Sequence, residues 1–186
     1  MNEPFAVNPV ATPLLQSLYK KDSYTFYHSK NVARLCAKTA KSLGLDEKAQ
    51  RDVFLSAYLH DIGKIDIENA ILKKPGKLSN AEYADIQRHP VLGEGMLLPL
   101  DGFTHTADAV RHHHERFDGS GYPDHLHGSG IPLESRIIAV VDAYDAITTR
   151  KLPVVRSKLE AIHEIRRNIG SQFDTEIAKE FIRIVD

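Results

Sequence analysis

The stretch LHDIGK, residues 59–64, sets His60, Asp61 and Lys64 among small and apolar neighbours. Burying such groups without partners is costly, so the rest of the chain must supply something for them to hold. Helical spacing finds further groups of the same kind. His28, His89, His113, His114 and Asp142 fall on, or at the ends of, faces that read as buried. Imidazole and carboxylate donors without a thiolate suit iron, manganese, zinc or a similar first-row cation. Seven of them exceed the need of one ion with an open position, so two divalent ions are expected, with Asp61 as the natural bridge. Such a pair activates a bridging water to hydroxide at neutral pH and neutralises charge on a phosphoryl group. Lys64 would add a positive charge facing the phosphate without being a ligand. The reaction class is phosphoester hydrolysis, with Asp61 and Lys64 as the catalytic candidates.

Each group also has a plainer reading. His60 and Asp61 can cap or pair locally at a helix end, Lys64 can cap the last carbonyls of the helix bearing His60, and Asp142 can pair with a buried base. Asp145 can orient a ligand or a loop rather than do chemistry. The helical phase of His112 turns it away from its neighbours and toward solvent. His105, His125, His127 and His163 stand outside the pattern and read as packing or surface residues.

The elements that must position these groups read as helices throughout. In 25–43, His28, Val32, Leu35, Cys36, Thr39 and Leu43 share one face, and Gly44 stops the helix. Asp46 opens a second helix that runs to about His60. The segment IENAILKKPGKL, residues 67–78, reads as a connecting loop, and the capping box Ser79 to Glu82 starts a third helix at Asn80. Pro90 ends or kinks it near His89 and begins a short helix of its own. A fourth helix is expected over about 106–116 and a turn-rich loop over 118–123. A long helix follows Pro132, and a last pair spans 157–169 and 174–185. Residues 1–22, with three prolines and little periodicity, read as a leader or linker remnant.

The 186 residues, 42% hydrophobic and 26% charged, describe one globular domain. A formal net charge of -1 disfavours a protein that coats DNA. The single cysteine, Cys36, excludes an internal disulfide and a Cys-rich zinc site. No signal peptide and no stretch near eighteen apolar residues is found, so the chain reads as cytoplasmic, with no membrane insertion.

The elements YTFYHS, LHDIGK, RHPVLGEGML, HHHERFDGSGYP, RIIAVVDAYDAIT and GSQFD, in that order, resemble the HD-GYP family, a branch of the HD-domain metal-dependent phosphohydrolases. The resemblance runs over 23–186. It implies an all-α, HD-type helical bundle around a dinuclear or trinuclear centre, often iron or manganese, that hydrolyses cyclic di-GMP to linear pGpG and in some members on to GMP. His28, His60, Asp61, His89, His113, His114 and Asp142 match the family's ligand positions, and Lys64 its phosphate-facing lysine. Tyr122, in the GYP triplet, matches a loop associated with substrate approach and with contacts to signalling partners; a homodimer is left open. Two departures qualify the match. Tyr24 stands where members with a third metal carry a glutamate, which favours two metals. Lys151 stands where an arginine helps hold the dinucleotide, with Arg150 or Arg156 as possible substitutes, and a lysine cannot reproduce a bidentate guanidinium contact. A different cyclic dinucleotide or nucleotide, or a binding module with weak turnover, therefore remain as alternatives.

Overall fold

The computed structural model describes residues 3–149 and 157–186. Its helices are α1 (Thr12–Lys21), α2 (Ser23–Ser42), α3 (Glu47–Leu59), α4 (Asn69–Leu72), α5 (Asn80–Ile86), α6 (His89–Leu97), α7 (Thr104–Arg111), α8 (Leu133–Thr149), α9 (Lys158–Arg167) and α10 (Thr175–Val185). Among the described residues the nearest thing to a sheet is an isolated bridge between Ile169 and Phe173. The expected all-α bundle is the observed one, and no described helix is long and apolar enough to cross a membrane.

Local chemistry sets the ends of the central helix. The Asp22 carboxylate accepts from the backbone N–H groups of Tyr24 and Thr25 at the start of α2. At its far end Gly44 adopts φ 76°, and the N–H groups of Gly44 and Leu45 return to the carbonyls of Lys41 and Ala40. Between these caps α2 buries Val32, Ala33, Cys36, Ala37 and Ala40. It packs against α3 and α8, which bring Val53, Phe54 and Ala57 and Ile137, Ile138 and Val141 into the same core. Placing α2 between α3 and α8 brings His28, His60 and Asp142 toward one another.

Three differences from the sequence reading have clear physical causes. Within the segment read as a leader, residues 12–21 form α1, and Ala11, Leu15 and Leu18 join the core. A ten-residue helix offers too few turns for its apolar stripe to stand out beside three prolines. The loop read over 67–78 contains the single turn α4. The helix expected to reach 116 stops at Arg111, where the His113 side chain takes up the carbonyl of Val110. Lys151, with Arg150 and Arg156, lies outside the described residues.

Replacing Leu18 with alanine is expected to destabilise the fold by about 2–5 kcal/mol. A urea midpoint unchanged by Leu18→Ala would show that α1 is not part of the cooperative core.

Candidate metal centre

His60 closes α3, and the chain passes through Asp61 into a tight 3-10 turn, Ile62–Asp66. The turn is pressed onto α6 by two glycines. A Cβ at Gly63 would lie 2.0 Å from the carbonyl oxygen of His89 and 2.5 Å from the N of Gly93, so only glycine permits this approach. The consequence is that His89 Nε2 comes within 3.3 Å of Asp61 Oδ1. The same turn folds Lys64 back until its Nζ donates to Asp61 Oδ2 at 2.6 Å. Lys64 thus stands beside the carboxylate.

Three of the histidines share one device. His60 Nδ1 lies 2.7 Å from the carbonyl oxygen of Ala57, His89 Nδ1 2.7 Å from that of Ile86, and His113 Nδ1 2.6 Å from that of Val110. A carbonyl oxygen only accepts, so each Nδ1 carries the proton and each Nε2 is left with a lone pair. The carbonyls come from the final turns of α3, α5 and α7, where the helix itself leaves them unused. His28 is held differently. Its Nδ1 meets Asp145 Oδ2 at 2.7 Å and its Nε2 meets Asp142 Oδ1 at 2.8 Å.

The candidate ligand atoms converge. His28, His60 and Asp142 form one group, His60, Asp61 and His113 a second, and His89, His113 and His114 a third, each with ligand atoms within 4.8 Å of one another. The groups overlap at His60 and His113, so all seven donors singled out from the sequence occupy one contiguous pocket. They fit a metal on the structure's own evidence: His60 Nε2 is buried with no hydrogen-bond partner, an expense that a cation would remove. His89 and His113 likewise face each other through their Nε2 atoms at 3.2 Å, an arrangement suited to sharing an ion.

Electrostatics divide the cluster. Burial drives the pKa of His89 down to about 3 and that of His114 down to about 4, and holds His113 well below the ordinary value, so all three are neutral and ready to ligate at pH 7. For His28 burial opposes the charge, but the hydrogen bonds to Asp142 and Asp145 overcome it and raise the pKa to about 10. Burial also opposes the charge on Asp61, yet Lys64 and the surrounding histidines keep its carboxyl well below the usual range. Asp142 is held low in the same way by His28.

The loop after α7 forms one wall. Tyr122 stacks on His114, with ring centroids 5.0 Å apart at 27°. Gly121 makes this contact possible, since a Cβ there would sit 2.3 Å from the N of Arg116. Two residues missed by the sequence reading pin the loop. Glu115 is buried, and its Oε1 accepts from the backbone N–H of Asp124 at 2.7 Å. Arg111 grips the Asp124 carboxylate through Nε and Nη2, at 2.6 and 2.9 Å, and reaches Glu94 through Nη1. His112, read as facing solvent, is instead buried; it lies against Asp124 Oδ2 at 2.9 Å and the carbonyl of Asp108 at 2.9 Å. The helical phase that turned it outward ends with α7 at Arg111. The sequence signal for these contacts was only the charge of Arg111, Glu115 and Asp124, which fixes no partner. His105, read as a packing or surface residue, pairs with Glu134 at 2.9 Å away from the pocket.

Comparison with known proteins matches this architecture. The HD domain model covers residues 12–177. The chain therefore belongs to the HD-domain family of metal-dependent phosphohydrolases. Within that family its motifs and its relatives place it in the HD-GYP branch. It is 38% identical over 181 residues to cyclic di-GMP phosphodiesterase PA4108 of Pseudomonas aeruginosa, covering 96% of this chain and 43% of that protein. It is 45% identical over 128 residues to 3'3'-cGAMP-specific phosphodiesterase 1 of Vibrio cholerae, covering 69% of this chain and 30% of that protein. The same fold is seen in a crystal structure of a cyclic GMP-AMP specific phosphodiesterase of V. cholerae, V-cGAP3, with a TM-score of 0.71, 20% identity, and coverage of 95% of this chain and 48% of the other. The chain spans less than half the length of the curated relatives described here.

The pKa pattern has a measurable outcome in chelator-stripped protein. His28, raised when folded, contributes stability that is complete below its unfolded value of about 6.5 and is lost as pH rises through about 10. His89 and His114, lowered when folded, act in the opposite sense: stability falls as pH drops from about 6.5 toward 4, where the unfolded chain gains protons that the buried rings refuse. The urea midpoint is expected to peak near pH 6.5, and His28→Asn to flatten the alkaline limb. A midpoint that climbs steadily from pH 5 to 9 would contradict this.

Proposed function

We propose that this domain is a phosphodiesterase that hydrolyses a cyclic dinucleotide, cyclic di-GMP first, to linear pGpG, GMP or both. The observation that carries the reading is the convergence of seven nitrogen and oxygen donors on one pocket, three of them with Nε2 lone pairs set by backbone carbonyls. The relatives named as cyclic di-GMP phosphodiesterases supply the substrate class. The donors are those that would hold two divalent cations, iron or manganese, with Asp61 between the groups. When bound, such a pair supplies a nucleophile from water at neutral pH and offsets phosphoryl charge.

The chain's own residues provide the remainder. Hydrolysis adds a water oxygen to phosphorus and breaks the bond to the ribose 3′ oxygen, which leaves as a hydroxyl; the product keeps the 5′-phosphate. Lys64, with its side chain 21% exposed, stands on the open side of Asp61 and presents its ammonium to the phosphate. Asp145 orients His28 through Nδ1, and Thr149 steadies Asp145 with a hydroxyl bond of 3.0 Å. Tyr122 forms the wall beside His114 where substrate approaches, and its exposed loop is the place for a signalling partner. Lys151, which stands in the sequence where the family's arginine helps to hold the dinucleotide, would serve as a further substrate contact.

A second reading keeps the chemistry and changes one base. Several relatives are named as 3'3'-cGAMP-specific, so the adenine-containing dinucleotide is the alternative substrate. Chromatography of products after incubation with each dinucleotide and manganese or iron decides between them. Linear pGpG or GMP from cyclic di-GMP supports the first reading; hydrolysis of cGAMP alone supports the second, and turnover of neither overturns both. Lys64→Ala is expected to lower kcat about 100-fold with metal content unchanged, while His113→Ala loses both metal and activity. A Lys64→Ala enzyme with full kcat would remove this residue from the reaction.

A further inference from the structure

Tyr24 occupies a corner of the pocket that the proposed chemistry does not use. It lies one helical turn before His28 on α2, and its ring is parallel to the imidazole, at 5° with centroids 6.4 Å apart. The residue is 43% exposed. Its neighbours Tyr19, Phe26 and Tyr27 pack edge to face among themselves, and Tyr24 takes no part in that cluster. Its hydroxyl finds no partner among the described residues, and its backbone N–H is bonded to Asp22. A large aromatic ring is therefore aligned with a pocket residue while much of its surface faces water. Leaving that surface exposed forgoes the stabilisation that burial would bring.

The opposite edge of the pocket has a similar arrangement. Tyr122 stacks on His114, so aromatic rings flank the donors on the His28 side and on the His114 side. Between them lie the groups that suit phosphate: Lys64 and the ligand cluster. This order of aromatic ring, anion site and aromatic ring matches a ligand with two nucleobases joined through a ring of phosphodiesters. Bases stack on tyrosine faces without regard to their hydrogen-bonding edges.

Resting on the cyclic-dinucleotide reading above, we propose that Tyr24 is the stacking platform for one nucleobase of the substrate, and that it sets substrate affinity rather than the chemical step.

The test uses the metal-loaded chain with Tyr24→Phe, Tyr24→Leu and Tyr24→Ala. Phenylalanine retains the platform and is expected to leave KM within about twofold of the unsubstituted chain; leucine covers His28 without a π face, and both it and alanine are expected to raise KM about tenfold, with a smaller change in kcat. Metal per chain is expected to stay constant across the series. A cyclic dinucleotide carrying 2-aminopurine provides a direct readout, because stacking quenches its fluorescence. Bound to the unsubstituted chain it is expected to be quenched, and bound to Tyr24→Leu to recover. Unaltered KM and quenching in Tyr24→Leu, or a KM change that tracks lost metal, would overturn the platform while leaving the hydrolase reading in place. If the unsubstituted chain hydrolyses no cyclic dinucleotide, both readings fall.

Discussion

A hydrogen bond from Nδ1 of a histidine to a carbonyl three residues earlier, made three times, underlies the whole site. Each bond uses an oxygen that the end of a helix leaves without a partner. Each one also fixes the tautomer and turns Nε2 toward the centre of the molecule. The fold therefore meets two obligations with one contact: it satisfies a buried carbonyl and prepares a ligand. Because the rings are held by backbone rather than by other flexible side chains, the geometry is in place before any ion arrives.

The backbone must then bring those helix ends together. The close passage of Gly63 against His89 and Gly93 does this for the second and third histidine elements, and the packing of α2 between α3 and α8 does it for His28 and Asp142. Around this centre lies a charged support. Arg111, Asp124, His112 and Glu115 tie the loop that carries Tyr122, and Asp145 with Thr149 ties His28. Groups at two removes from the ligands thus set where the ligands point.

Charge distribution follows from the same arrangement. Neutral histidines lie toward His114, and an ion-paired histidine lies between two aspartates toward α8. One end of the pocket offers lone pairs and the other offers carboxylates, with Asp61 and Lys64 between. Such asymmetry gives a cation unlike surroundings at the two ends of the pocket.

Much of this was legible in the residues. Helical periodicity placed His28, His60 and His113 on buried faces, the caps at Asp46 and Ser79 opened their helices as expected, and donor types alone pointed to metal and to phosphoester chemistry. Other features were not legible. His112 changed sides because α7 ends at Arg111, where the His113 side chain takes the carbonyl of Val110, and no local pattern in the sequence marks that ending. Helix α1 joined the core although its sequence shows little periodicity, because burial depends on the helices it meets. Glu115 and Arg111 carry charges whose partners lie on other segments, so no local pattern could assign them. By itself the sequence determined the helical class and picked out the seven residues that converge, since these depend on residue type and short-range spacing. Only the tertiary structure decided which donors share a group and which rings lie against them, because those properties arise from distances between segments far apart in the chain.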